Sequence, residues 1–174
     1  MATQKMVVGC AGEHFVAYRL SAMGYLVAMT RGGSPSVDLM VATHDGKSTV
    51  TVQVKTAKNA WLKSKRGEGN WYWHVGPKAR TLTGPSVFYA FVDLKGGTGE
   101  GETGEPRKPD MPDVFIVPAD YVAGPGNLET YPKNDPKPTD FWFDIPEHGE
   151  RRWREAWHLI NERLGPPQSD GAGP

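Results

Sequence analysis

Residues 52–58, VQVKTAK, alternate apolar and polar side chains with the period of a half-buried strand. Val52 and Val54 then point into a core, and Gln53 and Lys55 share the opposite face. An amide and a cation side by side on one strand face suit a phosphate with a hard metal ion, provided that neighbouring segments bring carboxylates to the same surface.

The preceding run, VDLMV (37–41), alternates Val37, Leu39 and Val41 with Asp38 and Met40. HDGKS (44–48), between the two runs, has hairpin chemistry, and a hairpin would set Asp38, Gln53 and Lys55 on one surface. Further upstream, VVGCAGEHFVAYRLSAMGY (7–25) places Val16, Ala17, Leu20 and Met23 on one side of an amphipathic helix, with Gly24 as a natural stop. Glu13 precedes Val16, Ala17 and Leu20 at spacings of three, four and seven, so a carboxylate heads the apolar stripe. Buried alone it would be strongly unfavourable or would bind a proton, so it either escapes at the helix start or meets a cation or metal.

Metal-assisted hydrolysis of a phosphodiester needs oxygen ligands for a divalent cation and a positive group near the attacking water. Asp38 supplies the anionic ligand, Gln53 a neutral carbonyl oxygen, and the backbone carbonyl of Val54 a further ligand. Lys55 would orient or help deprotonate the water and offset charge on the phosphate. Each residue also has an ordinary structural role: a solvated strand lysine, a strand-end aspartate, a cross-strand glutamine, an acid in a helix's first turn. Their joint order and spacing favour the site.

Residues 9–58 resemble the PD-(D/E)XK nuclease superfamily, in particular the branch of archaeal Holliday junction resolvases and the homing endonucleases of this fold that use Q-x-K. The resemblance implies an α/β, restriction-endonuclease-like fold: a central mixed β-sheet flanked by helices, in the order helix, three strands, two later strands, closing helix. It implies a deoxyribonuclease dependent on Mg2+ or Mn2+, acting on DNA, commonly as a homodimer. The family's helix-borne glutamate, second-strand aspartate and D/E/Q-x-K pair map onto Glu13, Asp38, Gln53 and Lys55. Val37 rather than proline precedes Asp38, with Pro35 further off, and Gln53 removes one negative charge from the metal site. A catalytically inactive nuclease-fold module that binds nucleic acid or a protein partner is therefore the alternative. A third reading is a structural or regulatory subunit that docks through the closing helix.

Beyond residue 58 the segment to Pro85 reads as irregular, with WYWHV (71–75) as a strand and PKARTL (77–82) as a helical turn. Between Lys55 and Arg80 the only acidic residue is Glu68, while Lys58, Lys63, Lys65, Arg66, Lys78 and Arg80 are interleaved with Trp61, Trp71, Tyr72 and Trp73. Cations meet phosphates and exposed aromatics stack on unpaired bases, making this segment the candidate nucleic-acid surface, with Arg31 ahead of Asp38. Its competitor is a loop whose tryptophans pack on the core.

SVFYAFVDL (86–94) and DVFIVP (113–118) read as buried strands. FWFDI (141–145) reads as an edge strand, and EHGERRWREAWHLINERL (147–164) as a closing helix with Trp153, Ala156, Trp157, Ile160 and Leu164 on its apolar stripe. Residues 95–112 and 124–140 read as loops, GGTGEGETG within the first lacking the G-K-[ST] ending of a phosphate loop. One domain over residues 1–164 and a disordered tail over 165–174 are expected.

Lys plus Arg and Asp plus Glu number 20 each, so global charge argues for neither nucleic acid nor membrane, and a basic site must be local. Cys10, the single cysteine, leaves no internal disulfide or cysteine-based zinc site and fits a reducing cytoplasm. No signal peptide or membrane-spanning run is visible, so a cytoplasmic location is expected.

Overall fold

The computed structural model describes residues 4–30, 37–63, 68–96, 111–131 and 140–165. The chain opens with helix α1 (Gln4–Ala22), ended by Gly24 at φ 90°, a conformation that favours glycine. Strands β1 (Leu26–Met29), β2 (Leu39–Ala42) and β3 (Thr49–Ala57) follow as an antiparallel meander, with Leu26 opposite Ala42 and Leu39 opposite Val52. The turn between β2 and β3 uses Gly46 at φ 70° and the bond from Gly46 N–H to the Thr43 carbonyl, 2.9 Å.

Next come β4 (Trp61–Lys63), β5 (Gly69–His74), a 3-10 turn at Pro77–Arg80, β6 (Val87–Asp93) and β7 (Asp113–Pro118). Helix α2 (Ala119–Val122), β8 (Leu128–Tyr131), β9 (Asp140–Pro146), α3 (Glu150–Trp153) and α4 (His158–Leu164) complete the described chain. A five-stranded mixed sheet has the order β1-β2-β3-β6-β7, with β3 and β6 parallel and the other pairs antiparallel. A four-stranded antiparallel sheet has the order β4-β5-β9-β8.

The strand period explains the two cores. On one face of the mixed sheet, Val52, Val54, Ala90 and Val92 meet Val16 and Leu20 of α1 and Ile160 of α4. On the other, Tyr89, Phe91 and Phe115 meet Trp71, Trp73 and Phe143 of the second sheet. Both faces of β6 and β7 are covered, hence their unbroken apolar runs.

Three expectations need correction. FWFDI lies in β9, between β5 and β8, and is not an edge. The loop read at 124–140 contains β8, whose Leu128 pairs with Phe143. The closing helix is interrupted: Glu155 has φ 52° and gives its N–H to the Val114 carbonyl at 2.9 Å, while Arg154 bridges to Phe115. Arg154 is also ion-paired to Asp113 at 2.6 Å, so pairing with β7 overrides the helical period there. The loop at 95–112 lies largely, and residues 166–174 wholly, outside the described residues. Among the described residues no helix is long and apolar enough to cross a membrane.

Candidate active site

β3 outruns β2. Pairing with β2 starts at Leu39 opposite Val52, whereas β3 continues to Ala57. Thr51 and Ala57 bond toward β6, through Ser86 and Leu94, and Val52 accepts the Asp38 N–H at 3.1 Å. By strand alternation the N–H and C=O of Val54 therefore face the gap left by β2. Asp38 fills that gap: its carboxylate accepts the Val54 N–H at 2.7 Å and a side-chain bond from the Gln53 amide. The amide nitrogen faces the carboxylate, which directs Oε1 of Gln53 elsewhere. Upstream, the Asp38 carbonyl accepts the Thr30 N–H at 2.8 Å and the Thr30 hydroxyl holds the Val37 carbonyl at 2.7 Å, fixing the entry to β2.

Gln53 and Lys55 lie on the face of the aromatic core, in register with Tyr89 and Phe91 of β6. Tyr89 stacks on Phe91 with 5.3 Å between ring centres, and Phe91 stacks on Phe143 at 4.7 Å. Above that aromatic floor Lys55 is half-buried, and burial is the main reason its ammonium is pushed below the usual lysine range. Asp38 and Glu13 pull it back up, while Lys5 and Lys78 push it further down.

The same gap admits α1 from the opposite face of the sheet. Gly12 is seated on Thr56 so closely that a Cβ there would stand 1.9 Å from Thr56 Oγ1. Glu13, the next residue, is thereby held within electrostatic reach of Asp38 and Lys55. Its carboxyl is pushed up first by burial and then by Asp38, against His14 and Lys55. Asp38 is pushed up by burial, against the Val54 N–H and Lys55. Two carboxylates raised and one lysine lowered describe a partly desolvated cluster in which charge is poorly tolerated.

Its donor set suits a hard divalent cation: carboxylate oxygens of Asp38 and Glu13, an amide oxygen of Gln53 and the Val54 carbonyl. Among the described residues no group of three or more His, Cys, Asp or Glu is gathered, so the anionic part of this set is two carboxylates.

The expected nucleic-acid residues divide. Lys78, on the 3-10 turn, is within electrostatic reach of Lys55. Lys58 is half-buried just past β3, and Lys63 is exposed on β4. Arg80 is exposed, its guanidinium 5.7 Å from the centre of the Phe141 ring. Arg31, Lys65 and Arg66 lie outside the described residues. The tryptophans are not a stacking surface: Trp71 and Trp73 are buried between the sheets, and Trp61 packs on Trp71 at 4.2 Å. Two neighbours of the site escaped the sequence. Tyr89 faces the field of Asp38, and burial is the larger reason its phenol is pushed up to about 12. Lys5, the other, stands seven residues before Gly12 on the same face of α1, a position with no signal until that glycine is known to touch the sheet.

No family model matches the chain, and no curated protein matches it. Among solved structures it is similar to a bacterial homing endonuclease, I-Ssp6803I, with a TM-score of 0.53 and 22% identity, over 94% of this chain and 95% of that one. The chain shares that enzyme's fold. The likeness spans both sheets rather than the motif-bearing residues alone.

The raised carboxyl of Glu13 has a consequence for stability. A folded-state pKa above the unfolded value means the native state holds its proton longer, so stability falls as pH rises through that interval. At neutral pH the charged Glu13 is thus destabilising, and Glu13→Gln is expected to raise the melting temperature in EDTA. The gain should shrink as pH falls and wild-type Glu13 protonates. Thermal melts of both proteins from neutral pH downward check the sign; a variant melting below wild type at neutral pH would refute it.

Proposed function

We propose that this protein is a metal-dependent endonuclease of the PD-(D/E)XK type that hydrolyses DNA phosphodiester bonds. The observation that carries the proposal is the Asp38 carboxylate tied to Gln53 and the Val54 N–H in the gap beside β3, with Glu13 and Lys55 in its field. The homing-endonuclease fold supports the same reading.

In this reading Asp38, Glu13, Gln53 Oε1 and the Val54 carbonyl would hold Mg2+ or Mn2+, which would supply positive charge for the phosphate and the attacking water. Lys55, whose ammonium is pushed below the usual lysine range chiefly by burial, orients the water and can accept the proton it loses. As the water oxygen bonds to phosphorus and a bridging P–O bond breaks, the ammonium offsets charge building on the phosphoryl oxygens. Asp38 keeps Gln53 oriented through its hydrogen bond. Lys58, Lys78 and Arg80 take flanking phosphates.

Plasmid, linear duplex, four-way junction and single-stranded DNA, each incubated with the protein and Mg2+ or Mn2+, test the proposal. Cleavage of at least one of them, stopped by EDTA, is expected. Binding without cleavage under every condition would replace it with the inactive-module reading.

A further inference from the structure

The stripe of α1 that faces the sheet runs through Leu20, Val16 and Gly12, at helical spacings of four, and continues with Lys5. Leu20 and Val16 are fully buried and Gly12 sits on Thr56, near the end of β3. Lys5 lies about 10 Å further along the axis, at 1.5 Å rise per residue, where the strand has ended. Residues 4–7 are accordingly exposed, Met6 at 63% and Val7 at 52%, although they belong to an unbroken helix. Lys5 thus belongs to the sheet-facing stripe but lies beyond the Gly12–Thr56 contact, and its charge reaches Lys55 near the end of β3.

On the other side, the 3-10 turn at Pro77–Arg80 is anchored by buried Ala79 and carries Lys78. Three lysines from α1, β3 and this turn thus stand about a site with two carboxylates, Lys5 and Lys78 each within electrostatic reach of Lys55.

We propose that the first two turns of α1 form one wall of the DNA channel, with Lys5 holding a backbone phosphate on one side of the scissile position and Lys78 one on the other. This rests on the nuclease reading and adds to it the direction in which DNA crosses: over the end of β3, between α1 and the 3-10 turn.

The test is the salt dependence of binding to a fluorescein-labelled mixed-sequence duplex, measured by anisotropy in Ca2+ over a KCl series. Loss of one phosphate contact lowers the slope of log K against log salt by about 0.9. Lys5→Ala and Lys5→Gln are expected to show that drop with several-fold weaker binding, and Lys5→Arg to restore the slope. Lys47→Ala, which removes an exposed lysine from the β2–β3 turn, should keep the wild-type slope. A wild-type slope in both Lys5→Ala and Lys5→Gln overturns this inference while leaving the nuclease reading intact. Wild-type protein that binds no DNA overturns both.

Discussion

Lys55→Ala is expected to lower the rate of DNA cleavage by about 10³-fold, the usual scale for losing a group that handles the proton and the developing charge together. The loss should fall mainly on kcat, because in the proposed mechanism Lys58, Lys78 and Arg80 would still hold the backbone. Lys55→Met is the sharper companion: it keeps the aliphatic stem beside Phe91 and removes only the ammonium. Because burial already lowers the Lys55 pKa, the charge is poorly accommodated in the native state, so neither variant should lose the fold. Circular dichroism and thermal melting establish that, and single-turnover cleavage measures the chemical loss. Cleavage undiminished in Lys55→Met would remove Lys55 from the mechanism.

The largest expected effect on stability is at Trp73. Its residue is 1% exposed, and its indole Nε1 donates to the Val92 carbonyl at 3.0 Å. Ring centres of Phe91 and Phe115 lie 5.1 and 5.4 Å away, so one side chain joins the two sheets. Trp73→Ala should cost about 3–5 kcal/mol, a large share of the stability of an ordinary domain. Trp73→Phe, which refills most of the volume without the hydrogen bond, should recover more than half of it. Urea denaturation measures both. A variant as stable as wild type but unable to bind DNA would mean that Trp73 meets nucleic acid rather than the core.

That residue also shows where sequence stops being legible. The alternation Trp71, Trp73, Val75 marks a strand, but only the second sheet decides that its aromatic face is interior. The second sheet itself is hard to foresee because β8 is four residues inside a Gly- and Pro-rich stretch, and its partner β9 follows in sequence only after a further interval. The break in the closing helix comes from Glu155 bonding Val114, a contact between distant segments that no local periodicity encodes. By contrast, the meeting of Asp38 and Gln53 follows from strand parity and hairpin chemistry alone. The approach of Glu13 depends on β2 ending before β3, which is a matter of strand length, and the sequence hints at it only through the carboxylate on the apolar stripe. Lys5 was beyond reach because the apolar period starts after it, while the helix starts before it.

Nicking of supercoiled plasmid across a Mg2+ and Mn2+ series, by wild type, Asp38→Ala and Gln53→Glu side by side, tests the metal site most directly. Wild type should nick more as either ion is raised, Asp38→Ala should stay inactive throughout, and Gln53→Glu should reach the same rate at lower metal because a third carboxylate strengthens the site. Nicking that persists in Asp38→Ala, or that needs no divalent ion, would contradict a metal site built on Asp38. Cutting by Gln53→Glu alone would identify the natural protein as the inactive form of this fold.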